Sequence, residues 1–408
     1  MTDRLCALLL AGGAAWEADV LQALGEAGVV VTKRCVDVPD LMASASAGGA
    51  TVAIVAAEVP QLDAEAVMHL LGHDVRTLGV TADAVSADRL GRLGVVETCP
   101  PDVATVVAAV QRVAAQEVVA DPDPVLLPER GPATGRGHVV AVWGPAGAPG
   151  RTTVAVGLAD ALAIAGRHVV LVDADPYGGT VAQHLGMLEE VSGVLAVSRM
   201  ANLGTLDEGA LVRCCRQVGD RISVLTGLPR ADRRVEVRPG VLATVLDTAA
   251  GLGEVVVDCG FGLEDADLPL ARDRMTLDVL GAADEVVVVG SAEPSGLARL
   301  ARGLVELRDV AGGTPVRVVV NRMRPTLGWS ERDIVGMVEG YAGPVSVHFL
   351  PEDRTTVDRS LVAGRALTEL GESRLATAFA GLGAAVLPAV AAPAHHRGRG
   401  RTRRRVAR

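Results

Sequence analysis

VVAVWGPAGAPGRTTVAVGLADALAIAGRHVVLVDAD, residues 139–175, is the stretch that decides the fold of this 408-residue chain. It contains an apolar strand, a loop rich in glycine and proline, a helix, and a second apolar strand that ends in Asp173 and Asp175. Two such strands joined by a helix form a parallel βαβ unit. The stretch therefore predicts an α/β domain built on a doubly wound, mostly parallel sheet.

The loop of this unit has the pattern of a P-loop, in which backbone amides at the start of a helix bind phosphate. The amides of residues 147–153 are placed to form this cradle, so Gly147, Gly150 and Thr153 are candidate nucleotide-binding residues. The hydroxyl of Thr152 is placed both to bind nucleotide and to hold Mg²⁺. The loop thus predicts a site for a nucleoside triphosphate with magnesium.

One residue of the loop departs from the P-loop pattern. Arg151 stands where lysine is expected. A guanidinium group can bind phosphate, but it is planar and larger than an ammonium group, so it does not occupy the same volume. The only lysine of the chain is Lys33, so a coding bias toward arginine accounts for the change as well as selection does.

Two further apolar strands end in a polar residue. The segment 254–258 (EVVVD) ends in Asp258, and the segment 316–321 (VRVVVN) ends in Asn321. In an open α/β sheet, ligands bind at the carboxyl ends of the strands. We therefore expect these two side chains at the same edge of the sheet as Asp173 and Asp175.

The composition is that of a globular protein, with 49% apolar and 22% charged residues. No apolar run reaches the roughly 18 residues that a membrane-spanning helix needs, and the first residues lack the pattern of a signal peptide. The six cysteines include no CxxC pair and no zinc-like spacing with histidine. Reduced thiols in the cytoplasm are the favoured interpretation, rather than disulfides or a metal site.

The chain divides into four segments by pattern. Residues 1–117 contain five alternations of strand and helix, which predict a flavodoxin-like parallel sheet. Residues 118–137 are rich in proline, glycine and charge and predict a linker. Residues 138–385 form the domain with the P-loop, and residues 386–408 form a tail with seven arginines from Arg397 onward and no acidic residue there.

The N-terminal segment resembles a response-regulator receiver domain in its fold pattern. The aspartate that this family places at the end of the third strand is missing, because that strand ends in Val55, Ala56 and Ala57. The lysine expected after the fifth strand is missing as well. The resemblance therefore implies an atypical receiver-like domain that acts through protein contacts or dimerisation rather than phosphorylation.

The motifs of residues 138–370 resemble those of the MinD/ParA family of P-loop ATPases, and the domain order resembles the CpaE-like pilus-assembly and septum-site proteins. The resemblance implies ATP and Mg²⁺ as ligands and assigns a role to each strand-end residue. Asp175 would position the attacking water, Asp258 would act on Mg²⁺ as the Walker B aspartate, and Asn321 would read the adenine edge. Arg151 would replace the P-loop lysine as a catalytic group.

Two departures weaken the implied hydrolysis. Ala146 stands where the family has its signature lysine, which in related proteins reaches the partner's nucleotide in a dimer, and Arg151 replaces the P-loop lysine. Pro149 also removes one donor amide from the loop. Loss of these cations removes stabilisation of the charge that develops at the γ-phosphate. We expect nucleotide binding with weak or absent hydrolysis.

The implied function is spatial positioning or assembly, either in Flp/Tad pilus assembly or in septum placement, with ATP biasing dimerisation or localisation. Two alternatives stay open: an active ATPase with Arg151 in the lysine's role, and a scaffold that binds no nucleotide. The implied partners are proteins of the pilus-assembly or division machinery, a second copy of the chain, and an anionic membrane surface reached by the basic tail. The remainder carries a net charge of about −17 once the seven tail arginines are removed from the formal −10, which disfavours nucleic acid.

One arginine-rich segment has no clear role from sequence. Residues 227–239 (GLPRADRRVEVRP) contain four arginines near the expected carboxyl edge of a strand. A solvated loop is the simpler interpretation, and a nucleotide lid or a partner contact is the alternative.

Overall fold

The computed structural model describes residues 5–115, 136–147, 149–187, 191–264 and 272–387. These residues form two α/β domains, each built on its own sheet. No helix within these ranges is both long enough and apolar enough to cross a membrane. Nearly all of the predicted linker and basic tail lie outside the described residues, although Arg136 and Gly137 of the predicted linker contact the second domain through Asp284 and Ala250.

The N-terminal domain alternates five strands with five helices. They are β1 (Cys6–Leu10), α1 (Glu17–Glu26), β2 (Val30–Arg34), α2 (Val38–Ser46), β3 (Val52–Ala56), α3 (Ala64–Gly72), β4 (Arg76–Val80), α4 (Ala84–Arg92), β5 (Glu97–Cys99) and α5 (Val103–Ala115). Every strand pair is parallel and the order is β2-β1-β3-β4-β5, which is the flavodoxin-like order. The predicted fold class of this domain is confirmed.

Short polar side chains set the starts of three of these helices. Asp37, Asp63 and Asp83 each accept a backbone N–H of the first turn of α2, α3 and α4. A carboxylate at this position satisfies an amide that has no partner within the helix and complements the helix dipole. The sequence boundaries of these helices follow from these three residues.

The second domain carries the P-loop and an eight-stranded sheet. Its strands are β6 (Val139–Trp143), β7 (Val169–Ala174), β8 (Arg216–Val218), β9 (Ile222–Leu225), β10 (Glu254–Cys259), β11 (Glu285–Ser291), β12 (Val316–Met323) and β13 (Ser346–Pro351). Their order is β13-β12-β11-β6-β10-β7-β9-β8, and only β8 runs antiparallel to its neighbour. The predicted doubly wound, mostly parallel sheet is confirmed.

Helices cover both faces of this sheet. They are α6 (Arg151–Ile164), α7 (Val181–His184), α8 (Gly193–Asn202), α9 (Glu208–Cys214), α10 (Val241–Ala250), α11 (Arg274–Ala282), α12 (Pro294–Ala311), α13 (Glu331–Ala342), α14 (Arg354–Ala363) and α15 (Arg374–Val386). Every residue of β6, β7 and β10 is buried, as expected for valine-rich parallel strands that pack on both faces. The adjacent carboxyl ends of β6, β7 and β10 therefore define the floor of one crevice.

The arginine-rich segment 227–239 is divided between local contacts and a contact between the domains. Its first three arginines bind within the segment, through Asp232, Glu236 and the carbonyl of Ala231. Arg238 instead reaches the N-terminal domain, where its Nη1 lies 2.6 Å from Asp63 Oδ2 and 2.7 Å from Glu65 Oε2. The segment is thus not simply a solvated loop, because residues 231–236 form a 3-10 helix, and its last arginine makes a contact within the protein.

Substitution of Gly157 by alanine is expected to destabilise the protein by about 1–3 kcal/mol, because the new methyl group overpacks the core. A Cβ at Gly157 in α6 would lie 2.5–2.6 Å from three ring carbons of Phe379 in α15. The control is Gly336→Ala in α13, where a Cβ meets nothing within 4 Å. The control should stabilise by roughly 0.5–1 kcal/mol through helix propensity. Urea unfolding measures both, and equal signs for the two variants would contradict the packing.

Candidate nucleotide-binding site

The P-loop lies between the end of β6 and the start of α6, as the sequence predicts. Gly150 immediately precedes the helix with a φ of 96°, and a Cβ there would lie 2.5 Å from Nδ2 of Asn321. Gly147 has a φ of 109°. Both conformations favour glycine, so the two predicted glycines are required by the shape of the loop. Thr152 and Thr153 are in the first turn of α6, and Ala148 lies outside the described residues.

The side chain of Arg151 is bound by the protein itself. Its Nε donates to the carbonyl of Cys259 (3.0 Å), and its Nη1 donates to the carbonyls of Gly144 (3.2 Å) and Pro145 (3.4 Å). Its Nη2 lies 3.3 Å from Oδ2 of Asp175, and the side chain is only 13% exposed. The guanidinium group therefore fixes the loop to two neighbouring strand ends.

The two residues predicted to be catalytic, Arg151 and Asp175, form an ion pair. The other carboxylate oxygen of Asp175, Oδ1, accepts the backbone N–H groups of Tyr177 (2.9 Å) and Gly178 (3.1 Å). Both oxygens of Asp175 are thus engaged, and its charge is balanced by Arg151. In this arrangement Asp175 is held away from the role of a free base or water ligand.

The carboxylate of Asp258, unlike that of Asp175, is not engaged by an ion pair or by backbone amides of the described residues. It is fully buried at the end of β10, beside Asp173 in the register with β7 and beside Val142 in the register with β6. Neither carboxylate oxygen has a hydrogen-bond partner of ordinary geometry, although the nearby hydroxyl of Thr152 acts to lower its pKa. Burial, followed by the charge of Asp173, raises the pKa of Asp258 well above the ordinary value.

The residues present fit magnesium. Mg²⁺ prefers oxygen ligands and in nucleotide sites is held through one or two protein groups together with phosphate oxygens. Asp258 supplies a buried carboxylate whose oxygens lack partners, and Thr152 supplies a hydroxyl close to it. An unpaired buried carboxylate is costly unless a cation compensates it. Thr152 and Asp258 are therefore the residues that would hold the ion if it binds, as the sequence predicts.

Asn321 lies at the P-loop, but its amide is engaged with the protein. Its Nδ2 donates to the carbonyl of Pro149 (2.9 Å), and its Oδ1 accepts the backbone N–H of Arg322 (2.8 Å). The residue is nearly buried. Asn321 therefore braces the loop from β12, which β11 separates from β6, a role that the sequence did not suggest; adenine recognition stays a prediction.

Sequence reasoning missed the glycines that surround Asp173. A Cβ at Gly179 would lie 2.5 Å from Oδ1 of Asp173, and one at Gly227 would lie 2.6 Å from its Cγ. Any larger residue would displace the carboxylate. The pair of glycines directly after Asp-Ala-Asp-Pro-Tyr was a visible signal for Gly179, whereas Gly227 is distant in sequence and had none.

Without ligand, the protein is expected to lose stability as pH rises from about 5.5 to 7.5. Burial raises the pKa of Asp173 from its ordinary 3.8 to about 7. Between these values the folded state holds more protons than the unfolded chain, so the free energy of unfolding falls by ~2 kcal/mol from pH 5.5 to 7. Asp258 shifts in the same direction. Urea unfolding across this range tests the prediction, and an unchanged slope in Asp173→Asn would contradict it.

Comparison with known proteins agrees with this geometry. Residues 140–360 match the CobQ/CobB/MinD/ParA nucleotide binding domain family. The chain is 29% identical over 179 residues to the chromosome-partitioning ATPase Soj of Thermus thermophilus, an alignment that covers 44% of this chain and 65% of that protein. It is 28% identical over 195 residues to the septum site-determining protein MinD of a Synechocystis species, which covers 47% and 66% respectively. The chain thus spans less than two thirds of the length of these relatives.

A solved structure supports the fold of the same region. The crystal structure of a ParA family ATPase from Chlorobium tepidum superposes with a TM-score of 0.51 at 18% identity, covering 61% of this chain and 99% of that one. Identity this low supports the fold alone. The family match extends from β6, just before the P-loop, into α14, beyond β12, the strand that carries Asn321. The chain therefore belongs to the CobQ/CobB/MinD/ParA nucleotide-binding domain family.

Proposed function

We propose that this protein is a magnesium-dependent ATP-binding switch whose hydrolysis is weak or absent. The observation that supports the proposal most is the carboxylate of Asp258, buried without a partner next to Thr152 at the P-loop. A fold that served only as a scaffold would gain stability by replacing such a group. The presence of this carboxylate is explained if a cation that enters with nucleotide compensates its charge.

Each residue of the site has a distinct part in binding. The N–H groups of the P-loop would donate to the phosphates at the start of α6, and Thr152 and Asp258 would hold Mg²⁺, which neutralises phosphate charge when bound. Arg151 fixes the loop through three backbone carbonyls and adds one positive charge beneath it. Binding therefore uses groups that are already in place.

Slow hydrolysis follows from the ion pair between Arg151 and Asp175. The resemblance gives Asp175 the role of positioning the attacking water. In this structure, however, the carboxylate oxygens of Asp175 are engaged by Arg151 and two backbone amides. Positioned groups supply most of the catalysis in phosphoryl transfer. A chain that engages its water-positioning carboxylate and has Ala146 in place of the signature lysine would turn over slowly.

The process we propose is spatial positioning or assembly. The named relatives act in chromosome partitioning and septum-site determination, and the domain order resembles CpaE-like proteins of Flp/Tad pilus assembly. ATP would bias dimerisation or localisation. Partners would be proteins of the pilus-assembly or division machinery, a second copy of this chain, and an anionic membrane at the inner face that attracts the basic tail.

Light scattering of the full chain with Mg-ATP, Mg-ADP or no nucleotide tests the switch. The proposal predicts a larger mass with Mg-ATP alone, and phosphate release slower than one turnover per minute, on the order of what P-loop GTPases show without an activator. Fast phosphate release would favour the active ATPase with Arg151 in the lysine's role. An unchanged mass with no nucleotide bound would favour the scaffold.

A further inference from the structure

We propose that Arg299, in the second turn of α12, is a second phosphate-binding cation of the nucleotide site. This inference rests on the proposed function. It starts from the position of the Arg299 side chain on the P-loop. A Cβ at Gly147 would lie 2.2 Å from Nη1, 3.0 Å from Cζ and 3.3 Å from Cδ of Arg299. The guanidinium group therefore lies directly against the loop, and a side chain at position 147 would displace it.

The helix that carries Arg299 is packed onto the start of the same loop. A Cβ at Gly303 would lie 3.1 Å from the Trp143 ring and 3.3 Å from the Cβ of Pro145. Residues four apart share one face of a helix, so Arg299 lies on the face of α12 that packs against the loop. Its position next to Gly147 is thus set by the packing of the helix.

No acidic side chain in the described part of the chain neutralises the charge of Arg299. Its side chain is exposed, and it forms no ion pair or hydrogen bond with a described residue. The neighbouring Arg324, by comparison, is bound by Glu293 and Glu352. An arginine without an acidic partner beside backbone amides that bind phosphate is suited to an anionic ligand.

The site holds more negative than positive charge, so a further cation would stabilise a bound triphosphate. Asp173, Asp175 and Asp258 converge at the strand ends, and Arg151 is bound to one of them. A triphosphate with one Mg²⁺ brings further negative charge. Since Ala146 removes one cation of the family's loop, Arg299 supplies positive charge from the side of α12 instead.

Calorimetric titration of the full-length chain with Mg-ATP tests the assignment. Arg299→Ala should weaken binding about ten- to one-hundred-fold, the range for a hydrogen bond to a charged group. Arg299→Lys should recover part of the loss. The control is Arg302→Ala in the same helix, an exposed arginine whose Nε donates to the carbonyl of Ala298; its affinity should stay within about two-fold of the native value, as for a surface charge away from the ligand.

Salt and stability separate a phosphate contact from a packing role. The difference between native chain and Arg299→Ala should shrink as ionic strength rises, and urea unfolding should be unchanged. Native affinity in Arg299→Ala would overturn the inference while leaving the proposed function intact. A loss of affinity that comes with lost stability and no recovery in Arg299→Lys would also overturn it. If the native chain binds no nucleotide, the proposed function fails and the role of Arg299 fails with it.

Discussion

Asp258→Asn should make the ligand-free protein more stable and at the same time abolish magnesium-dependent nucleotide binding. The carboxylate is fully buried, has no hydrogen-bond partner of ordinary geometry and is repelled by Asp173. An amide of the same shape carries no charge, so at pH 8 we expect a gain of about 1–2 kcal/mol in the free energy of unfolding. The same change removes the carboxylate that we propose acts on the magnesium ion, so binding should no longer depend on Mg²⁺.

Glu254→Gln is the matched control for this prediction. Glu254 is a buried carboxylate on the same strand, but it is paired with Arg167 and accepts the N–H of His138. Loss of its charge should therefore destabilise the protein, with no change in the magnesium dependence of binding. Urea unfolding at pH 8 and titration of ATP with and without EDTA measure both effects. A destabilised Asp258→Asn that still required Mg²⁺ would show that Asp258 is not the magnesium residue.

Arg151→Ala should cause the largest loss of stability of any single change at the site. It leaves the carboxylate of Asp175 buried and unpaired, and it removes the donors to three backbone carbonyls. Breaking a buried ion pair from one side typically costs about 3–5 kcal/mol. Nucleotide binding should be lost as well, because Arg151 fixes the loop. Chemical denaturation and calorimetry measure these effects, and a loss below about 1 kcal/mol, as for an exposed pair, would contradict them.

Arg151→Lys should have a different outcome, since it keeps the charge but not the planar fork. A single ammonium group cannot bond at once to the carbonyls of Gly144 and Cys259 and to Asp175. We expect this variant to keep nucleotide binding, to free Asp175 from its ion pair, and to hydrolyse ATP at least about ten-fold faster than the native chain, within the range for one positioned catalytic group. Phosphate release at saturating Mg-ATP measures this. Equal rates in the two proteins would show that the ion pair does not limit hydrolysis.

The fold and the positions of the site residues could be predicted from sequence because their signals are local. Runs of valine and leucine define the buried strands, aspartates mark the helix starts, and Asp173, Asp258 and Asn321 each lie within the last three residues of a strand. Parallel strands bring their carboxyl ends to one edge of the sheet. The predicted segments 254–258 and 316–321 begin where β10 and β12 begin in the structure, and they end one and two residues earlier.

The direction of long side chains could not be predicted in the same way. Arg151, Arg238 and Arg299 each have several rotatable bonds, and each contacts residues that are distant in sequence, such as Asp175, Asp63 and Gly147. The sequence placed Arg151 at the phosphates, whereas its four hydrogen bonds are to backbone carbonyls and Asp175. The contact of Arg238 with Asp63 joins two domains, which no local pattern specifies.

Calorimetric titration of the full-length native chain with ATP, in magnesium and in EDTA, tests the central claim most directly. We expect binding in the micromolar range with Mg²⁺ and at least about ten-fold weaker binding in EDTA, as follows when the cation links phosphate to a buried carboxylate. No binding up to millimolar Mg-ATP would contradict the account, and the P-loop would then be a structural element of a scaffold.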